Sequence, residues 1–98
     1  MIHSFGDDAT KDVFHGINSK LARTIPKGLW AVVRRKLDMV NAATGVGALR
    51  VPPGNRLEAL RGDRAGWFSI RVNDQYRITF HFEDEHAHDV RCEDYHRG

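Results

Sequence analysis

The sequence has little cysteine, little proline and no long apolar run: one cysteine and three prolines occur in 98 residues. A single cysteine forms no intramolecular disulfide and offers no cysteine pair for a closed zinc site. No stretch approaches the roughly 18 apolar residues that a membrane span needs, and no leader with a basic start and an apolar run is present. The glycine patterns of phosphate and dinucleotide loops are absent too. These absences predict a cytoplasmic protein without a membrane span, and they favour Cys92 as a small core residue.

The composition is that of an ordinary folded protein, with 41% hydrophobic and 29% charged residues. A chain of this length is expected to form one domain over residues 1–98, because it is too short to bury a second core. The net charge is only +2, yet eleven of the fifteen cations are arginine, and six of these lie in residues 50–77 against three acids. Arginine's planar donors suit phosphate. Either an anionic ligand or a solvated charged surface explains this excess.

The first half of the chain predicts a short strand at residues 1–5 and two helices. Asp7 or Asp8 caps a first helix whose apolar positions recur as far as Leu21. Gly16 and Asn18 weaken its second half, so a short or bent helix is the alternative. Pro26 begins a second, amphipathic helix that ends near residue 43. Its charged face is either solvated or an extension of a nucleic-acid footprint.

The second half predicts four strands, at residues 56–60, 67–72, 77–82 and 88–93, after a loop at 44–55 that is rich in glycine and proline. Apolar and polar residues alternate in them, so each strand has one apolar face for the helices and one polar face left over. Short turn-like connections favour antiparallel pairing. The expected fold class is therefore α+β, a mostly antiparallel sheet with two N-terminal helices packed on one face.

Arginines, an aspartate, a tyrosine and a histidine are expected on or near the polar face. These groups suffice for RNA cleavage without a metal, because the substrate's 2′-hydroxyl attacks phosphorus if a base accepts its proton and an acid protonates the leaving oxygen. Asp94, Tyr95 and His96 are the acid–base candidates. Taken alone, this tripeptide is equally compatible with a frayed terminus.

Longer sequence segments before the tripeptide resemble a known protein family. The segment GDRAGWFSIRVNDQYRITFHF at 62–82, followed by EDYH at 93–96, resembles the HigB group of the RelE-like toxins of bacterial toxin–antitoxin systems. The segments MIHSF, LDMVNAAT and VPPGNRLEALRGDRAG are similar to that family as well, so the resemblance covers nearly the whole chain.

The resemblance implies a compact α+β endoribonuclease that cuts messenger RNA, typically in the ribosomal A site. The residue chemistry given above predicts that no cofactor or metal is needed. The resemblance also implies a partner antitoxin with a helix-turn-helix domain. Matching positions assign the catalytic roles to Asp94, Tyr95, His96, Arg77 and Arg61, with the two arginines holding phosphate. Weaker candidates for contact with substrate or ribosomal RNA are Arg64 and Arg71.

This chain departs from the family pattern at Glu58, where some members have a histidine. A carboxylate there either accepts a proton near the substrate or holds Arg61 or Arg77 by an ion pair, so the distribution of acid and base roles stays open.

Two rival interpretations remain. His81, His86, His88 and His96 lie close enough in sequence to suggest a metal site, although the middle two are expected at an exposed hairpin among acids. A non-catalytic module could instead bind RNA or a protein through the arginine face, with stacking on Trp67, Tyr76 and Tyr95.

The sequence also offers apolar residues that belong either to the core or to a surface on which the antitoxin docks. These residues are Trp30, Leu49 and Val51.

Overall fold

A computed structural model of the protein describes residues 1–95. The helices are α1 (Asp8–Phe14) and α2 (Trp30–Ala42), and the strands are β1 (Glu58–Ala59), β2 (Trp67–Arg71), β3 (Tyr76–Glu83) and β4 (His86–Asp94). The strands form one antiparallel sheet in the order β1-β2-β3-β4. The predicted α+β fold with two N-terminal helices is therefore confirmed. His96, the last candidate of the terminal motif, lies outside the described residues.

Helix α1 is shorter than the apolar periodicity predicts. Asp7 caps it by accepting a hydrogen bond from the Thr10 backbone nitrogen at 2.8 Å. It ends because Gly16 takes a left-handed φ of +73° and the Ile17 nitrogen then donates back to the Asp12 carbonyl at 2.8 Å. Of the two expectations, the short helix is confirmed and the continuation to Leu21 is not, and Ile17 and Leu21 are exposed.

Helix α2 supplies the helical side of the core through Val33, Leu37 and Val40, which are completely buried. They belong to the same apolar cluster as Ile78 and Phe80 of β3. None of the helices in residues 1–95 has the length and apolar character needed to cross a membrane.

The segment predicted as a first strand runs along β4 without forming a continuous ladder. It makes two isolated parallel bridges, Ile2 with Ala87 and Phe5 with Val90. Strand β1 is also shorter than predicted, because Arg56 adopts a left-handed conformation with φ of +45° at the start of the expected stretch.

The polar face of the sheet is not left to solvent as the alternation suggested. Ser69 and Thr79 are 0% exposed, and Arg77 is 8% exposed. The reason is that arginines cover this face: Arg64 reaches across it to Thr79, and Arg77 lies along it against Ser69. The centre of the polar face is therefore a hydrogen-bonded layer.

Candidate active site

Two adjoining depressions lie between the segment that contains β1 and the side chain of Tyr95, the residue after β4. The larger, of about 690 Å³, is lined by Glu58, Arg61 and Tyr95 with Ala59 and Leu60. The smaller, of about 290 Å³, shares Glu58 and Tyr95 with it. We call the combined feature the arginine cleft, and its charged and aromatic lining consists of Arg56, Glu58, Arg61, Arg71, Asp74, Arg77 and Tyr95. The cleft brings together five of the eight predicted site residues.

Arg77 is held firmly on the floor of the cleft. Its Nε donates to the Ser69 hydroxyl at 2.7 Å, and its Nη2 donates to the Arg56 carbonyl at 2.6 Å and to the Ser69 carbonyl at 3.3 Å. Its Cζ atom lies 5.8 Å from the centre of the Tyr95 ring. These bonds fix the direction of the guanidinium before any ligand arrives.

Tyr95 forms the wall common to both depressions. Its backbone nitrogen donates to the Gln75 carbonyl at 2.7 Å, which ties the residue after β4 to the turn between β2 and β3. Its ring is half-buried beside Arg77. A base or sugar entering the cleft would meet this ring and the arginines together.

Asp94 is directed away from Tyr95. Successive side chains of a strand point to opposite faces, and Asp94 pairs in register with Tyr76 and accepts a hydrogen bond from the Gln75 side chain at 3.0 Å. Among the described residues it is not part of the cleft lining. The structure thus brings Tyr95 to the cleft and leaves its neighbour Asp94 outside the cleft lining.

Glu58 and Arg61 lie at the open edge of the sheet. Glu58 is half-buried on β1 opposite Ser69, and it lines both depressions. Arg61 is exposed and precedes a short 3-10 turn, Gly62–Arg64, in which Gly62 has a φ of +65°. A cation and a carboxylate therefore line the same opening.

Arg71 forms an exposed ion pair that a ligand can readily replace. It forms an ion pair with Asp74, whose side chain is 99% exposed. Exposed pairs of this kind contribute little to stability, because water and salt screen them. An incoming phosphate could thus replace Asp74 at modest cost.

Arg64, the other predicted substrate contact, is engaged by protein groups. Its guanidinium forms two hydrogen bonds with Glu93, at 2.7 and 3.3 Å, and one with the Thr79 hydroxyl at 3.2 Å. Sequence reasoning missed Glu93 and Thr79 as site residues. Period-two alternation on the last strand could have found Glu93, because it places Glu93 and Tyr95 on one face.

A second missed pair is Lys36 with Asn55. Lys36 is 7% exposed, and its ammonium group donates a hydrogen bond to the Asn55 side-chain oxygen. Burial lowers the pKa of Lys36, and the charges of Arg35 and Arg71 act in the same direction. The only signal in the sequence was the position of Lys36 at the boundary of the charged face of α2.

Cys92 is a core residue, as expected. It is 8% exposed, and burial, with the nearby charges of Asp7 and Glu93, raises the pKa of its thiol to about 12. A thiol held neutral in this way is a poor nucleophile or metal ligand.

The histidines pack as rings rather than as converging ligands. His81 and His88 stack with centroids 5.1 Å apart, His3 lies 4.8 Å from His88, and His81 contacts the Asp89 carboxylate at 3.1 Å. His86 and His88 are half-buried, not exposed as predicted, because the N-terminal segment packs beside them. No group of three or more potential ligands with metal-binding geometry occurs within residues 1–95.

The fold and the cleft define a small α+β domain with an arginine-lined site at a sheet edge. Residues 3–96 match the family model described as the RelE-like toxin of type II toxin–antitoxin system HigB. The chain therefore belongs to the HigB family of RelE-like toxins, as the sequence motifs predicted.

Individual relatives agree with this assignment. Toxin HigB-1 of Vibrio cholerae is 46% identical over 67 residues, which are 68% of this chain and 70% of that protein. Endoribonuclease HigB of Proteus vulgaris is 34% identical over 98% of this chain and 100% of its own length. The YoeB–YefM complex from Staphylococcus aureus contains a chain that matches with a TM-score of 0.61 at 18% identity, covering 98% of both chains. This last likeness supports the fold.

Proposed function

We propose that the protein is an endoribonuclease, as the name of its Proteus relative indicates for that protein, and that its substrate is messenger RNA. The single observation that carries the proposal is the arginine cleft, in which Arg77 is fixed beside the Tyr95 ring and Arg61 faces the same opening. Fixed guanidinium groups stabilise charge that develops on phosphoryl oxygens, and an adjacent ring suits a nucleotide base.

The reaction uses the substrate's own 2′-hydroxyl as the nucleophile. Arg77 and Arg61 hold the scissile phosphate, and Tyr95 orients a base or the phosphate through its ring or its hydroxyl. His96 or Asp94 carries out the proton transfers. The products are a 2′,3′-cyclic phosphate and a 5′-hydroxyl, with no metal or other cofactor taking part.

The position of Asp94 outside the cleft lining bears on these roles. Tyr95 lines the cleft and Asp94 does not, whereas Glu58 lines both depressions. Glu58, which lines the larger depression together with Arg61, is therefore proposed as a second proton acceptor beside the roles proposed for Asp94 and His96.

The message is proposed to reach the cleft in the ribosomal A site, in the cytoplasm. Arg71 is a proposed contact with substrate or ribosomal RNA, since its ion pair with the exposed Asp74 is readily exchanged. The partner that silences the protein is proposed to be a helix-turn-helix antitoxin. Of the three residues suggested for docking, Leu49 is buried in the core, Trp30 is half-buried, and Val51 is 73% exposed.

Cleavage of a defined message, with and without ribosomes, tests the proposal. Arg77→Ala, Arg61→Ala and His96→Ala are each expected to lower the rate by about 10² to 10³, because each removes a group that acts in the transition state. Arg34→Ala is the matched control, since it removes an exposed arginine from α2 and should leave the rate unchanged.

End-group analysis of the fragments checks the chemistry, and the wild-type protein should leave a 2′,3′-cyclic phosphate. Parental rates in the Arg77 and His96 variants would show the assignment to be wrong. Tight binding of message by a wild-type protein that never cleaves it would favour the alternative of a non-catalytic RNA-binding module.

A further inference from the structure

Arg64 spans three strands of the sheet. It belongs to the turn Gly62–Arg64 between β1 and β2, yet both its terminal nitrogens donate to Glu93 near the end of β4, at 3.3 and 2.7 Å. On the way it donates to the Thr79 hydroxyl of β3 at 3.2 Å, and that hydroxyl in turn donates to Glu93. The result is a closed network of three side chains.

The Trp67 ring and the burial of Thr79 stabilise the network. The Cζ atom of Arg64 lies 4.9 Å from the centre of the Trp67 ring, an attractive arrangement for a guanidinium. Thr79 is fully buried, and the side chains of Arg64 and Glu93 are 34% and 27% exposed. Two-pronged arginine–carboxylate pairs fix geometry better than single contacts do.

The two ends of the network lie next to the two walls of the larger depression. Arg64 is three residues after Arg61, and Glu93 is two residues before Tyr95. Arg61 and Tyr95 line that depression together. Glu93 is also the register partner of Arg77. A bond between Arg64 and Glu93 thus sets the separation between the turn that carries Arg61 and the strand end that carries Tyr95.

We propose that Arg64, Thr79 and Glu93 form a positioning clamp that holds Arg61 and Tyr95 at the separation needed for cleavage. The clamp acts through these residues and does not itself touch RNA. This inference rests on the proposed ribonuclease function, and it differs from the expectation that Arg64 contacts substrate. Its basis is that both terminal nitrogens of Arg64 already bind the Glu93 carboxylate in the two-pronged way in which arginine binds phosphate.

Kinetics separate a clamp from a direct contact. In a clamp, Arg64→Gln and Glu93→Gln each lower kcat on the order of tenfold to a hundredfold, because misplacement of reacting groups by about 1 Å has effects of that size. The affinity for RNA stays the same. The double variant loses no more than the worse single variant, and the exchanged pair Arg64→Glu with Glu93→Arg recovers part of kcat. Arg34→Gln is the control.

A direct phosphate contact gives the opposite pattern. Arg64→Gln would then weaken RNA binding and reduce its salt dependence by about one contact. Glu93→Gln would leave kcat unchanged or tighten binding, because it releases Arg64. Either of these results overturns the clamp.

Amide hydrogen exchange tests the clamp without any activity. The Tyr95 backbone nitrogen donates to the Gln75 carbonyl at 2.7 Å, so its exchange reports whether the strand end is held. We expect faster exchange at Tyr95 in Arg64→Gln and Glu93→Gln, with the buried Ile70 amide unchanged. Unchanged exchange at Tyr95, or equal acceleration at both amides, contradicts the clamp. If the wild-type protein does not cleave RNA, the proposed function is refuted. The clamp is still tested in that case, because hydrogen exchange does not depend on cleavage.

Discussion

At the scale of single residues, Glu93 shows how neighbours decide the state of a half-buried carboxylate. Burial by itself raises its pKa, but hydrogen bonds from Arg64 and Thr79, with the charges of Arg64 and Arg91, together hold the pKa of Glu93 below its usual value. Arg77 faces it from β3. The ionised form is therefore the one that the folded state favours.

This preference makes part of the folding stability depend on pH. A lowered pKa means that the stabilisation is complete above the ordinary glutamate pKa, about 4.3, and is lost as the pH falls through the lower folded value. We expect the difference in unfolding free energy between wild type and Glu93→Gln to be constant above about pH 5 and to shrink in more acidic solution.

Denaturant titrations at a series of pH values measure this difference. Glu83→Gln, which removes an exposed carboxylate at the end of β3, is the matched control for the loss of one negative charge. A Glu93 difference that grows on acidification would mean that the folded state favours the protonated carboxyl instead.

At the scale of elements, the loop between α2 and β1 is fastened by one amide. The Asn55 side chain accepts a hydrogen bond from Lys36 and donates to the Leu49 and Val51 carbonyls at 3.2 and 3.4 Å. The next residue is Arg56, whose carbonyl accepts from Arg77. Asn55 therefore fixes the backbone next to Arg56, and Arg56 binds Arg77 on the floor of the cleft.

Asn55→Ala should destabilise the protein and slow cleavage together. The substitution leaves a buried ammonium and two carbonyls without their partner, which costs on the order of 2 to 4 kcal/mol. Asn18→Ala removes an exposed asparagine that accepts a hydrogen bond from Arg23 at 3.1 Å, and we expect it to change stability by less than about 0.5 kcal/mol. Thermal or denaturant unfolding compares the two variants. Equal losses of unfolding free energy would mean that the Asn55 hydrogen bonds do not stabilise the fold more than an exposed asparagine does.

The sequence predicted elements best where side-chain alternation alone determines the structure. In β2 and β3 the apolar residues Phe68, Ile70, Ile78 and Phe80 face the helices as expected, because one face of the sheet packs on the core. The end of α1 was open between two positions, and the Gly16 cap outweighed the apolar spacing that runs on to Ile17. Local backbone geometry of this kind has only a weak trace in the sequence.

The candidate site was predictable in its composition and much less so in its geometry. The motifs supplied Arg61, Arg77 and Tyr95, which the fold brings to one cleft. Pairings between distant segments, such as Arg64 with Glu93 and Lys36 with Asn55, depend on strand order and on how the loop crosses the sheet. No local pattern reports those distances.

At the scale of the whole molecule, the distribution of charge over the surface is more informative than the net charge. The net charge is only +2, but four arginines line one cleft against two acids, Glu58 and Asp74. The helices lie on the other side of the sheet, where α2 exposes Arg34 and Arg35. Attraction of an RNA strand should therefore be local to the cleft.

The salt dependence of RNA binding measures how many arginines meet phosphates. Each contact with a single strand contributes about 0.7 to the slope of log affinity against log salt, so four contacts in the cleft give a slope of about −3. Arg61→Gln should reduce its magnitude by about 0.7, because it removes one of the four contacts. Arg34→Gln and Arg35→Gln, on the far side of the sheet, should leave the slope unchanged. If those two variants reduce it as much as Arg61→Gln does, the RNA path extends over α2 and the cleft is only part of the binding surface.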